Sequence, residues 1–173
     1  MEAIRVSSFL YNIAQVNIAR MRAPLEDAMM AGFVSLLDEI NALADRSPGF
    51  VWRLQTESGN ATYLRPYEDE RILFNLSVWQ SLEQLKDYVY RSAHGAVLRQ
   101  RHEWFEKFDG MYMALWWIKA GHIPTVDEAK QRLEYLRKHG ASAQAFTFKQ
   151  SFPPINETDA TSLFAPRTQL AAT

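Results

Sequence analysis

The stretch from Ile72 to Trp79 alternates without a break. In an extended chain Leu73, Asn75, Ser77 and Trp79 point one way, and Ile72, Phe74, Leu76 and Val78 point the other. That period of two fits a strand and no helix. One side is wholly apolar. The other sets Asn75 and Ser77 beside Trp79, and polar atoms next to a Trp on a sheet face fit the floor of a ligand cavity. Tyr11 to Ile18 repeats the pattern, with Gln15 and Asn17 opposite Ala14, Val16 and Ile18. Two amides on one face of a core strand face either a cavity or solvent.

The rest of the chain fits around these two strands. Pro24 pre-sets a helix start. Phe33, Leu36, Leu37, Ile40, Leu43 and Ala44 then recur at helical spacing until Ser47-Pro48-Gly49 stops them. Phe50 to Gln55 reads as a short strand. Thr56 to Glu70 is a long polar loop, of the length that binding loops and lids take, or an ordinary excursion. Ser81 caps a helix carrying Leu82, Leu85 and Val89. Met111 to Lys119 is a strand that sends Trp116 and Trp117 to opposite faces. Thr125-Val126-Asp127-Glu128 is a capping box opening a helix to about His139, with Gly140 as its stop. Phe146 to Phe148 reads as a short last strand.

The order strand–helix–strand–strand–helix–strand predicts a ferredoxin-like α+β fold: an antiparallel sheet with helices on one face, plus an extra C-terminal helix. The bare face needs a cover, and a second copy is the simplest one, giving a symmetric dimer. Residues 1–154 form one domain behind a loose leader, and 155–173, rich in Pro, Thr and Ala, form a flexible tail in which Leu163-Phe164 is a docking candidate.

The helical stripes before and after Arg91 differ in phase by roughly 140°. The helix therefore breaks near Arg91-Ser92, and a second piece starts with Ser92 as N-cap and runs to about Phe108. His94, Val97, Leu98, Arg101, Trp104, Phe105 and Phe108 share its apolar stripe, with Gly95, Ala96 and Arg99 among the residues opposite. A cation within an apolar stripe is costly unless paired. Arg101 is thus either a bidentate anchor for an anionic group or half of a structural ion pair with Asp38 or Glu39. His94 sits in the first turn, where the helix dipole disfavours its charged form. It is a candidate base, haem ligand or pocket donor, or a structural histidine. His102, His122 and His139 are scattered and give no metal-ligand spacing.

Composition narrows the chemistry. With 19 basic and 20 acidic residues and a net charge of −1, the chain lacks the basic excess of a general nucleic-acid binder. It has no cysteine, which removes disulfides and thiolate chemistry and suits a cytoplasmic protein. No apolar run is long enough to span a membrane, and no signal-peptide pattern opens the chain. A glycine-rich phosphate loop and a Ser–His–acid order are also missing.

Several segments together carry a resemblance. They are Ala14-Gln15-Val16-Asn17-Ile18-Ala19-Arg20, Ser47-Pro48-Gly49-Phe50-Val51-Trp52-Arg53-Leu54, Asn75-Leu76-Ser77-Val78-Trp79, Tyr90-Arg91-Ser92-Ala93-His94, Arg101-His102-Glu103-Trp104-Phe105, and Leu115-Trp116-Trp117 with Gly121-His122-Ile123-Pro124-Thr125. Over about Tyr11 to Pro154 the chain resembles a bacterial family known as domain of unknown function 3291. That family is similar to the dimeric α/β-barrel group, which includes antibiotic-biosynthesis monooxygenases. The Tyr90–His94 segment is also similar to one in spheroidene monooxygenase, a haem-associated carotenoid oxygenase. The resemblance implies a homodimer and a small-molecule enzyme, with oxygenation or a related tailoring step as its chemistry. The cofactor stays open, with haem one candidate. The alternative is a non-catalytic binder of a hydrophobic ligand or haem.

The expected site has His94 and Arg101 as its catalytic pair. Asn17, Trp52, Asn75, Trp79, Tyr90, Trp104 and Trp117 are its expected substrate-binding walls, no metal is expected, and plain core packing is the competing account of each Trp.

Overall fold

A computed structural model describes residues 10–155. The expected leader, the tail and Leu163-Phe164 lie outside the described residues. The elements are β1 (Tyr11–Arg20), α1 (Ala31–Arg46), β2 (Phe50–Arg53), β3 (Ile72–Trp79), α2 (Leu82–Lys86), α3 (His94–Gln100), β4 (Met113–Lys119) and α4 (Val126–His139). The strands form one antiparallel sheet in the order β2-β3-β1-β4, which is the ferredoxin-like arrangement with β1 and β3 at its centre.

The alternation assigns the two sheet faces. Ala14, Val16, Ile18, Phe74, Leu76, Val78, Ala114 and Trp116 form one apolar layer, and α4 closes it with Ala129, Leu133 and Leu136. The C-terminal helix thus supplies the cover for which a second copy was expected. On the opposite face Ile13, Trp79 and Leu115 pack with Ala44 of α1, with Leu82 and Leu85 of α2, and with Val89. Trp116 and Trp117 do part to opposite faces.

Four local expectations need correction. Pro24 does not open the first helix. Asp27 does, its carboxylate accepting from the Met29 N–H at 2.8 Å before a short 3-10 turn leads into α1. The capping box is half formed. Thr125 Oγ1 accepts from the Glu128 N–H at 3.1 Å, but the Glu128 carboxylate turns instead to the Trp116 Nε1–H at 3.0 Å and His122 Nε2 at 2.7 Å. Phe146 makes a single antiparallel bridge to Leu115 rather than a strand.

The fourth is the helix after Ser92, which stops far short of Phe108. It tightens into a 3-10 turn at Arg101–Glu103. The chain then pairs with the end of β1: Arg22 N–H donates to the Trp104 carbonyl and Glu106 N–H to the Arg20 carbonyl, both at 2.9 Å. Sheet-like partners claim the backbone that a longer helix would have used.

Candidate functional site: a cavity under a broken helix

A cavity of about 360 Å³ lies between the sheet and the helices of one face. That volume is in the range of small-molecule sites. Phe33, Leu36, Leu37 and Ile40 of α1 form an apolar wall. These residues are half-buried, since their stripe faces open space where a packed core would otherwise be.

The floor follows from register. Gln15 lies opposite Ser77, and Asn17 lies opposite Asn75, so two polar pairs sit side by side on the central strands. The first pair is satisfied: Trp79 Nε1–H donates to Ser77 Oγ at 3.0 Å, and Ser77 Oγ donates to Gln15 Oε1 at 3.3 Å. The Asn17 and Asn75 amides have no hydrogen-bond partner among the described residues, and Asn75 is exposed although it lies mid-strand in the sheet. Polar groups without partners at such a place fit a ligand's polar group.

The far end is aromatic. Phe50 meets Trp79 edge-on with centroids 5.4 Å apart, Tyr88 stacks on Trp79 at 4.8 Å, and the His94 ring lies 4.8 Å from Tyr88. The helix break sets this geometry. Asp87–Arg91 widens into a π turn, and Ser92 then takes an extended backbone, with its Oγ donating to the Tyr88 carbonyl and accepting from the His94 N–H at 3.1 Å. Gly95, expected on the outer side, is buried: a Cβ there would stand 2.9 Å from the Tyr90 carbonyl oxygen.

His94 Nδ1 lies 3.3 Å from the Val89 carbonyl oxygen. A carbonyl only accepts, so Nδ1 carries the proton, and in the neutral ring Nε2 holds the free lone pair. Burial lowers the His94 pKa below its ordinary 6.5, against a smaller upward effect of the Val89 carbonyl. Nε2 has no hydrogen-bond partner among the described residues, and His94 lines the cavity. Arg101 lies on the same cavity, its guanidinium 5.0 Å from the centre of the Tyr112 ring. It makes no ion pair among the described residues. Asp38 and Glu39, the partners of the alternative structural reading, are exposed and do not pair with it.

Of the expected walls, the cavity is lined by Asn17, Asn75, Trp79 and Tyr90, the last at its mouth and 57% exposed. Trp52 packs against the cluster on the α4 face, because a bulge between Phe50 and Trp52 shifts its register. Trp104 is core, 5% exposed and packed beside Phe33 and Gly32. Trp117 turns its Nε1–H to the Phe152 carbonyl at 2.7 Å and pins the segment after α4. Tyr88, Phe50, Tyr112 and Arg53 are among the lining residues that sequence reasoning missed. Arg53 is satisfied bidentately by Asp45, at 2.8 and 3.2 Å, and by the Gly59 carbonyl at 2.7 Å, so it ties α1 to the loop and is not free for a ligand. That loop brings Asn60, Ala61 and Thr62 to the cavity. Among the described residues no group of three or more His, Asp or Glu is placed to hold a metal ion, and no helix is long and apolar enough to cross a membrane.

Comparison with known proteins gives the following. Three solved chains, from two proteins, match this chain. One is a conserved protein from Methanosarcina mazei Go1, 16% identical over 66% of this chain and 96% of that one, with a TM-score of 0.46. The other is SnoaB, a cofactor-independent oxygenase from Streptomyces nogalater, 16% identical over 65% of this chain and 95% of that one, with a TM-score of 0.43. A search of curated proteins finds no match. The family model described as domain of unknown function DUF3291 matches residues 12–162, and the chain belongs to that family.

Proposed function

We propose that this protein is a small-molecule enzyme that starts its reaction by taking a proton from a largely apolar, planar substrate. One observation carries the reading: an imidazole whose Nε2 has no hydrogen-bond partner among the described residues lines the same cavity as an arginine without an acid partner among them. His94 Nε2 accepts the proton, and the electron pair stays on the substrate as an enolate or phenolate. The aromatic end holds the reacting ring, Asn17 and Asn75 orient a carbonyl or hydroxyl, and Arg101 holds an anionic group. The anion so formed is the species that a cofactor-free oxygenation with dioxygen, or a rearrangement, would consume.

The test is deuterium uptake from D2O by a panel of aryl diketones and hydroxynaphthalenes. Exchange above buffer that His94→Ala removes supports the reading; exchange absent, or unchanged in that variant, refutes it. If haem bound here, His94 would hold its iron and Arg101 would hold an acidic side group, and the haem would supply oxygen activation. Titration with haemin decides that branch: a Soret shift lost in His94→Ala supports it, and no shift removes it. A protein that retains a ligand without turnover or exchange would be a binder and not an enzyme.

A further inference from the structure

The cavity has two chemically different ends, and they lie a fixed distance apart. His94 and Arg101 are seven positions apart on α3 and its continuation, about 10 Å along a helix axis. The sheet beneath gives the same polarity. His94 sits over the Tyr88–Trp79 stack. Trp79 pairs with Ile13, whereas Asn17 pairs with Asn75 four positions further along, about 13 Å in a strand. Arg101 belongs to the Asn17 end, because it lies over Tyr112, whose carbonyl accepts from the Ile18 N–H at 2.8 Å and which precedes Met113, the other partner of Asn17. Between the two ends runs the apolar wall of α1.

From this we infer that the substrate is an elongated amphiphile: an apolar body ending in a carboxylate or similar anion, with its reacting ring or carbon about 10 Å from that charge. Arg101 is the specificity residue that fixes which end enters the aromatic pocket. Its guanidinium has no acid partner among the described residues, so a ligand anion satisfies it without displacing one of them. This inference rests on the reading of the cavity as a small-molecule site, but it does not require that His94 remove a proton.

The experiment is calorimetric titration of the full chain with phenylalkanoates from phenylacetate to phenyloctanoate and with their methyl esters. The expected result is tightest binding at one intermediate chain length, with the acid at least about tenfold tighter than its ester, a difference of about 1.4 kcal/mol. Arg101→Gln should bring acid and ester to parity, Arg101→Lys should restore part of the gap, and Lys138→Gln, an exposed position on α4 across the sheet, should leave it intact. Thermal unfolding of each variant separates a lost contact from a lost fold, and Arg101→Lys serves if Arg101→Gln does not fold. Equal binding of acid and ester by the unaltered protein, a gap that survives in Arg101→Gln, monotonic growth of affinity with chain length, or no binding by any acid would overturn the inference. Acid selectivity without His94-dependent deuterium exchange would sustain the ruler and refute the proton-abstraction reading.

Discussion

At the scale of single residues, the account turns on which polar groups the fold satisfies and which it leaves open. Ser77, Gln15 and Arg53 all line the cavity and all have partners, so they are explained by structure. Among the described residues Asn17, Asn75 and the His94 Nε2 have no hydrogen-bond partner, and Arg101 has no acid partner. Burial of the His94 ring also links ionisation to stability. Its folded pKa lies below 6.5, so the folded state favours the neutral ring. The stabilisation is therefore present above 6.5 and is lost as pH falls from there through the folded value. Tyr88, whose hydroxyl burial pushes upward, stays neutral throughout. Urea midpoints should fall more for the unaltered protein than for His94→Gln between a pH above that window and one below it, and equal falls would contradict the assignment. Trp104 should behave as core: Trp104→Ala should cost about 3–5 kcal/mol in denaturant unfolding.

At the scale of elements, what was legible in the sequence was local. Strand periodicity is a property of neighbouring residues, so the alternation in Tyr11–Ile18 and Ile72–Trp79 was enough to place both central strands and their polar faces. The break at Ser92 was legible for the same reason, since a phase change between two stripes is local too. The end of α3 was not, because Trp104-Phe105 pairs with the end of β1, more than eighty positions away in sequence. Nor was the cavity wall. Phe33, Leu36, Leu37 and Ile40 make the same stripe whether a core or an empty space lies beneath them, and only the fold decides which. Neither periodicity nor composition revealed which Trp residues would reach the cavity, since Trp52 turns on a bulge and Trp117 on a carbonyl beyond α4, thirty-five positions away. The break itself is testable. Gly95→Ala places a methyl 2.9 Å from the Tyr90 carbonyl oxygen, so the π turn or α3 must shift. The expected cost is about 1–3 kcal/mol, with His94 displaced from Tyr88. A variant as stable as the parent, with unchanged ligand affinity, would show that the contact does not set the helix.

At the scale of the whole molecule, the chain covers both faces of its own sheet, one with α4 and the other with α1 to α3 around the cavity. Removing the Leu133 side chain from the α4 layer should cost about 2–5 kcal/mol and lower a single cooperative unfolding transition. A second, separate transition would mean that α4 is not part of the domain's core. The two layers divide the work: the α4 side is filled and holds the sheet, and the other side is left partly open. Nitrogen-edited imidazole NMR of the full chain reads the ionisation and tautomer of His94 on that open side. His94 is expected to be neutral at pH 7, protonated on Nδ1, with a pKa below 6.5. A His94 ring that is protonated at neutral pH, or that carries its proton on Nε2, would contradict that assignment.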